Sequence, residues 1–338
     1  MKAGRFTGPR KVEIIDVPIP EIEVNQVQIK LEVACLCGSD SPMFNTDYEA
    51  LKAQGIQANS WCVDYDRDEI YPLSTGLSLH ECIGTVSESR SERFKVGDFV
   101  LGIPIAQHGF FEYLTLSEER VYAMPNEVVS KPEILMSQPL GTVLFGMRKL
   151  PDVSGKSVAI VGMGPIGLLW SAYLDYLGAS SIFAIDKLGY RVEVSKEMGS
   201  TAQIDSSNED PVEAVKTLTD GKMAEIVIEA AGHCEMAIDL ATELIAMDGD
   251  LLQFGVTDVD RFDNYPAGIL YGKNVSVHNT VGAIRPKEFL EAADLIAAGK
   301  INVKPLLTHT FKFDDAQTAF EHYVDRLDGA LKVLLEFP

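Results

Sequence analysis

Ser157-Val-Ala-Ile-Val-Gly-Met-Gly-Pro-Ile-Gly167 is the stretch on which the fold turns. A short β-branched run ends in Gly162 and an apolar run from Ile166 to Leu177 follows, closed by Gly178, so the spacing predicts strand, tight turn and helix. Gly162 permits the turn, Gly164 lets backbone approach a pyrophosphate, and Gly167 brings helix and strand together. The helix N-terminus adds free N–H groups and partial positive charge. Gly162, Gly164, Pro165, Ile166 and Gly167 are therefore candidate dinucleotide-binding residues, against the plainer reading of a Gly-rich turn without a ligand. The next strand ends at Asp186, 19 positions beyond Gly167, where a carboxylate can accept hydrogen bonds from both ribose hydroxyls of an adenosine. That favours NAD, although Lys187 and Arg191 could partly compensate a 2′-phosphate and keep NADP open. The competing role for Asp186 is to cap the helix from Leu188 onwards.

Outward from this turn, strands and helices alternate. Ser157 to Val161, Ser181 to Ile185, Ala202 to Ile204, Glu225 to Glu229, Asp250 to Phe254 and Asn274 to Val277 read as strands, with helices such as His233 to Met247 between them. Strands joined by helical crossovers predict an α/β fold with a doubly wound parallel sheet. Upstream of a connection at Pro151 to Lys156 the texture differs. Lys11 to Val17, Gln26 to Ala34, Ile83 to Val86, Phe99 to Ile103 and Phe110 to Leu116 predict a β-rich, barrel-like domain. In the tail, Arg285 to Ala298 is an amphipathic helix, Ile301 to Phe313 is β-like, Asp314 to Tyr323 is a helix and Leu331 to Leu335 a last strand. This tail is expected to return to the N-terminal domain and leave a cleft, giving domains 1–150 and 151–280, with 281–338 completing the first.

Composition narrows the partners. With 29 Lys and Arg against 50 Asp and Glu, the net charge of −21 repels phosphate backbones and anionic headgroups, so neither nucleic acid nor a membrane surface is expected. Cys35, Cys37, Cys62, Cys82 and Cys234 are an odd number spread over 338 residues, unlike a secreted disulfide framework. Met1 to Ile15 has charges with no apolar run behind them, so a cytoplasmic location is expected. Ser157 to Leu174 is uncharged and approaches the length of a spanning helix, but the glycines and Pro165 at its centre favour strand, turn and helix.

Chemistry-bearing residues gather in the first domain. Cys37-Gly38-Ser39-Asp40 closes a strand with a thiol, a glycine, a hydroxyl and a carboxylate, while Leu79-His80-Glu81-Cys82 and Gln138-Pro139-Leu140 come much later. By spacing alone these make no metal site, since Cys37 and His80 are 43 positions apart, and an isolated Cys is usually a small core residue. With Val96-Gly97-Asp98, Phe110-Phe111-Glu112-Tyr113, the glycine turn and the run from Ala298 to His309, however, the chain resembles the zinc-dependent medium-chain dehydrogenases. This is the alcohol, sorbitol and threonine dehydrogenase group, and the resemblance covers essentially the whole length. It implies a GroES-like catalytic domain beside the Rossmann domain, and a homodimer or homotetramer. It also implies a catalytic Zn²⁺ on Cys37 and His80, with Glu81 as a ligand or exchanging neighbour. Ser39 would relay the alcohol proton and Asp40 would orient the ligands. Thiolate, imidazole and carboxylate suit Zn²⁺, and an open position lets a substrate oxygen bind.

The sequence departs from the family pattern in several places. The four-cysteine lobe of many relatives is absent, because Gly97-Asp98-Phe99-Val100 runs through Leu101 to Gln107 directly into His108, so no structural zinc is expected. Gln138 replaces the family's Glu, as in archaeal glucose dehydrogenases, and either ligates the metal or only hydrogen-bonds a metal-bound water. An apparent insertion within Phe44 to Ser74 carries Trp61-Cys62-Val63-Asp64-Tyr65-Asp66-Arg67-Asp68-Glu69, a mixture able to stack on and hydrogen-bond a polyol, or to form a solvated loop or oligomer contact. Pro42 stands where some members carry a relay His, and Cys35 either competes with Cys37 for metal or packs as a small residue.

The expected function is hydride transfer between NAD and a secondary alcohol of a small neutral polyol, sugar or amino alcohol. The alternative is an aldose 1-dehydrogenase giving a lactone. A zinc-free quinone or enone reductase and a non-catalytic NAD-binding protein are the readings from other classes.

Overall fold

The computed structural model describes residues 1–125, 129–232, 235–257, 261–280 and 286–338, so His233, Cys234 and Arg285 lie outside the described residues. The chain divides into two units, Met1–Gln138 with Leu307–Pro338, and Pro139–Leu306.

The first unit opens with β1 (Lys2–Gly8) and β2 (Lys11–Asp16), an antiparallel pair in register from Lys2 opposite Asp16. Gly4 stands inside β1 because a Cβ there would lie 2.2 Å from the Phe110 ring. That close approach is also why β1, glycine-bearing and short of β-branched residues, is not legible as a strand in the sequence. After β3 (Gln26–Cys35) come two short helices, α1 (Ser41–Asn45) and α2 (Tyr48–Ala53), then β4 (Glu81–Ser89), β5 (Phe99–Gly102), β6 (Tyr113–Ser117) and β7 (Val121–Ala123). Two helices follow, α3 (Lys131–Leu135) and α4 (Ser137–Met147).

The second unit alternates β8 (Ser157–Val161), α5 (Pro165–Tyr176), β9 (Ser181–Asp186), α6 (Gly189–Glu197), β10 (Ala202–Asp205) and α7 (Pro211–Leu218). It continues through β11 (Ala224–Glu229), α8 (Glu235–Leu244), β12 (Ile245–Gln253), α9 (Ala267–Gly272), β13 (Ser276–Asn279) and α10 (Pro286–Ala297). Its sheet has the order β10-β9-β8-β11-β12-β13, all parallel, as the alternating pattern predicts. The uncharged stretch 157–174 is thus a strand, a turn and a helix, and among the described residues no helix is long and apolar enough to cross a membrane.

The chain then returns to the first unit with β14 (Leu307–Lys312), α11 (Ala316–Asp325) and β15 (Lys332–Glu336). The sheet there runs β14-β15-β3-β4-β5-β7, and β6 pairs with β3. The returning segment is sealed by a buried aromatic cluster. Phe320 lies 5.4 Å from Phe6, 5.3 Å from Phe44 and 5.7 Å from Phe110, and Phe313 lies 5.4 Å from Phe110. Ring pairs at such spacing add about 0.5–1.5 kcal/mol each beyond their buried area.

Two boundaries differ from the sequence expectation. The units divide at Gln138 and Leu307 rather than at 150 and 281, because α10 packs within the second unit. Phe289 is fully buried there, Arg148 holds Glu288 at 2.8 Å, and a Cβ at Gly141 would lie 2.6 Å from the Phe289 ring. The helix read as running to Met247 ends at Leu244, and β12 starts at Ile245. The Lys273 ammonium explains the stop, donating to the carbonyls of Thr242, Glu243 and Ile245 at 2.8, 3.2 and 2.8 Å.

Candidate functional site

β3 and β4 pair with Cys35 opposite Glu81, so the turn after β3 and the residues opening β4 meet at one end of the sheet. Ligand atoms of Cys37, His80 and Glu81 consequently lie within 4.8 Å of one another, although 43 positions separate the first two in the chain. A thiol, an imidazole and a carboxylate in that compass match the donor set and spacing of a Zn²⁺ site. The local field favours a cation. Burial would lower the His80 pKa, but the neighbouring Cys37, then Asp40 and Glu81, outweigh it and the imidazole is pushed up to about 9. Ser39 Oγ lies 3.4 Å from His80 Nδ1.

Asp40 joins the two ligand-bearing segments. Its buried carboxylate accepts from the Cys37 N–H through Oδ2 (2.7 Å), and from the Ser78 hydroxyl and the Leu79 N–H through Oδ1 (2.8 Å each). These bonds hold a strained backbone. Ser78 and Leu79, immediately before His80, have φ of 101° and 63°, and Ala106 and Gln107 in the adjoining turn have 46° and 54°. The two turns are locked together by Ser78 N–H donating to Gln107 O (2.6 Å) and Gly109 N–H donating to Ser78 O (2.9 Å). Left-handed non-glycine backbone costs about 1–3 kcal/mol per residue and persists only where its surroundings over-determine it. Here Asp40 and the fully buried Leu79 side chain do so.

Lys332, which the sequence reading did not single out, completes this end of the sheet. β15 pairs with β3 on the side opposite β4, and the Lys332 ammonium donates to Glu81 Oε1 and Oε2 at 2.5 and 2.7 Å. Both side chains are buried, at 2% and 0% exposure. Burial alone would lower the Lys332 pKa, but the Glu81 charge beside it holds the ammonium well above its ordinary value. A signal was present: a lone Lys inside the apolar run from Leu331 to Leu335 needs a buried partner.

The remaining expectations fall out unevenly. Cys35 is fully buried, its thiol pushed well up by burial, and it packs rather than joining the Cys37 cluster. Gln138 is buried in the first turn of α4. In the insertion, Tyr48, Val63, Ile70 and Leu73 are core residues and three tyrosine hydroxyls are used locally. Tyr48 donates to Pro42 O, Tyr65 to Ala58 O and Tyr71 to Thr46 O, at 3.0, 2.7 and 2.6 Å. Trp61, with Asp64, Asp66, Asp68 and Glu69, is left on the surface.

In the second unit, the glycine turn has the geometry its composition asks for. Gly162 has φ 97°, and a Cβ on Gly167 would lie 1.9 Å from Gly162 O, so α5 can approach β8 only without a side chain there. Asp186 accepts from Met163 N–H (2.7 Å) and Leu188 N–H (2.9 Å), tying the glycine turn to the start of α6. Asp186 does not cap the helix: the N-cap of α6 is Leu188, without a side-chain cap bond, and Asp186 bonds the N–H of that residue from two positions before it. Arg191 reaches over the turn, its NH1 3.9 Å from Asp186 Oδ2 and 3.7 Å from where a Gly164 Cβ would stand. Lys187 is exposed beside them.

Comparison with known proteins bears on the family and on the fold. A family model described as zinc-binding dehydrogenase matches residues 165–298. The L-threonine 3-dehydrogenase of Bacillus licheniformis is 28% identical over 324 residues, covering 90% of each chain. The sorbitol dehydrogenase of Bacillus subtilis is 24% identical over 366 residues, covering 99% of this chain and 97% of that one. Among solved structures, galactitol-1-phosphate dehydrogenase from Escherichia coli superposes with a TM-score of 0.83 at 23% identity, covering 99% of this chain and 100% of the other.

Proposed function

We propose, from the premise that the chain belongs to the zinc-binding, medium-chain dehydrogenase family, that it transfers a hydride between NAD and a secondary alcohol of a neutral polyol, sugar or amino alcohol. The observation that carries this reading is the convergence of Cys37, His80 and Glu81 within 4.8 Å, beside Ser39, in a chain that also has the glycine turn of a dinucleotide fold.

Cys37 and His80 would hold the metal, Nε2 being the ring nitrogen left over when Nδ1 faces Ser39. Gln138 would be a further ligand, or a hydrogen-bond partner of a water there. When bound, zinc supplies the Lewis acidity that lets a hydroxyl ionise near neutral pH, and the nicotinamide supplies the hydride acceptor. Ser39, half-buried at the mouth of the site, takes the substrate hydroxyl proton and passes it outward through water or a ribose hydroxyl, since Pro42 cannot act as a relay. Glu81 is held back by Lys332 and balances the charge of the set without donating a proton. Asp40 keeps Cys37 and His80 at their separation. In the second unit the glycine turn and the α5 N-terminus take the pyrophosphate, Asp186 takes the adenosine ribose, and Arg191 and Lys187 decide how far a 2′-phosphate is tolerated.

The test is metal analysis of the purified protein together with a screen of polyols, aldoses and amino alcohols against NAD and NADP, followed by the absorbance of the reduced nicotinamide. About one zinc ion per chain and turnover with a member of this panel are expected, both lost in Cys37→Ala. A zinc-free protein that still turns over substrate, or dinucleotide binding without turnover of any alcohol, would sink the proposal. Gln138 favours a second reading, an aldose 1-dehydrogenase, for which the product is a lactone rather than a ketose.

A further inference from the structure

We infer that Glu229 is a positioning residue for the nicotinamide half of the dinucleotide, an inference that rests on the dehydrogenase reading above. Glu229 is the last residue of β11 and is 3% exposed. A carboxylate that buried is tolerable only when fully hydrogen-bonded. Its Oε1 accepts from the Ala231 and Gly232 N–H groups at 2.8 and 2.7 Å, and its Oε2 from the Gly255 N–H at 3.2 Å. Its main-chain carbonyl accepts from the N–H groups of Phe254 and Gly255, at 3.0 Å each. One residue therefore ties the loop leaving β11 to the loop leaving β12.

Both loops press on neighbours that leave no room for drift. A Cβ on Gly162 would lie 2.7 Å from Ala231 N, and one on Gly255 would lie 2.4 Å from Gly232 N. Gly232 itself has φ 63°. The loops after β8, β11 and β12 thus meet at the carboxyl ends of three adjacent parallel strands, and the strand order reverses between β8 and β11. In such sheets a dinucleotide crosses at that reversal, its pyrophosphate on the helix after the first strand. The half beyond the reversal faces the loops after β11 and β12. Ala231, Gly232 and Gly255 have no side chains able to anchor those loops, whereas charge-assisted bonds from one carboxylate do so before the ligand arrives. Ordering done in advance is subtracted from the cost of binding.

Glu229→Gln preserves the shape but replaces one acceptor oxygen with an NH2 group that must face a backbone N–H. Glu229→Asp keeps the charge on a shorter arm. Each variant and the wild type are titrated with NADH or NADPH, whichever the wild type binds more tightly, by nicotinamide fluorescence. They are titrated in parallel with the matching adenosine half, 5′-AMP or 2′,5′-ADP, by calorimetry. The glutamine variant is expected to weaken the whole dinucleotide about tenfold, with unchanged affinity for the adenosine half and unchanged zinc content, and the aspartate variant to fall between. KM for the cofactor should rise more than kcat falls. Equal loss for both ligands would mean local collapse and overturn the inference, as would a glutamine variant that binds like wild type. If glutamine does not fold, the aspartate variant carries the same comparison. A wild type that binds neither ligand overturns the dehydrogenase reading itself, whereas a wild type that binds both leaves only the role of Glu229 at stake.

Discussion

Replacing Lys332 by Met tests the end of the sheet that carries the proposed metal ligands. The pair it breaks is buried on both sides, at 2% and 0% exposure, and made through two bonds of 2.5 and 2.7 Å. Methionine fills much of the same volume, so the loss is mainly electrostatic: the Glu81 carboxylate stays behind without a partner and without water. Removing one member of such a pair costs about 3–5 kcal/mol. The first unit, residues 1–138 and 307–338, melts with about 2–4 °C per kcal/mol for its size, so the variant should lose roughly 10 °C. Differential scanning calorimetry in the presence of a chelator measures this. The double variant Glu81→Gln with Lys332→Met removes both charges and should recover more than half of the loss, since a neutral pair needs no compensation. With excess zinc the Lys332→Met deficit should shrink, because the released carboxylate can turn to the metal. A single variant melting within about 2 °C of wild type, or a double variant no better than the single, would refute the reasoning.

Asp40→Asn should lower zinc affinity about 10–100-fold in a chelator competition, because one amide oxygen cannot replace two carboxylate oxygens bonded to Cys37, Ser78 and Leu79. Unchanged affinity would show that the strained turns hold themselves. Glu32 offers a pH signature away from the site. Burial would raise its pKa, but hydrogen bonds from Lys131 and Thr85 and the Lys131 charge outweigh this and hold it below 4.5. Since the folded value is the lower one, its stabilisation is complete above about pH 4.5 and is lost as the pH falls through the folded value. Urea titrations of wild type and Glu32→Gln should differ by about 0.5–1 kcal/mol at pH 7 and converge in acid, and a difference that grows in acid would contradict the sign.

Much of the second unit is legible in the sequence because its signals are local. β8 ends where the β-branched run meets Gly162, whose φ of 97° is a requirement of the turn itself, and Gly167 answers a contact with Gly162 five residues before it. The alternation of strand and helix is likewise written in short windows. Where a stop depends on a distant group, the local pattern runs on too far. The helix before β12 is one case, ended by Lys273 from another element, and β1 is the converse, a strand whose Gly4 makes sense only against Phe110.

The candidate ligands follow the same division. The sequence by itself determined which side chains have the right chemistry, a thiol at Cys37, an imidazole at His80 and a carboxylate at Glu81, and a dinucleotide turn at Gly162 to Gly167. Only the tertiary structure decided that the first three share one 4.8 Å compass, that Glu81 is held by a lysine 251 positions away, and that Glu229 ties two loops together. The reason is physical. Helix and strand periodicity, turns and glycine requirements arise from interactions between residues close in the chain. The neighbours of β3 are set instead by strand register and core packing, which join segments from both ends of the sequence, so that even a lone Lys332 in an apolar run does not name its partner.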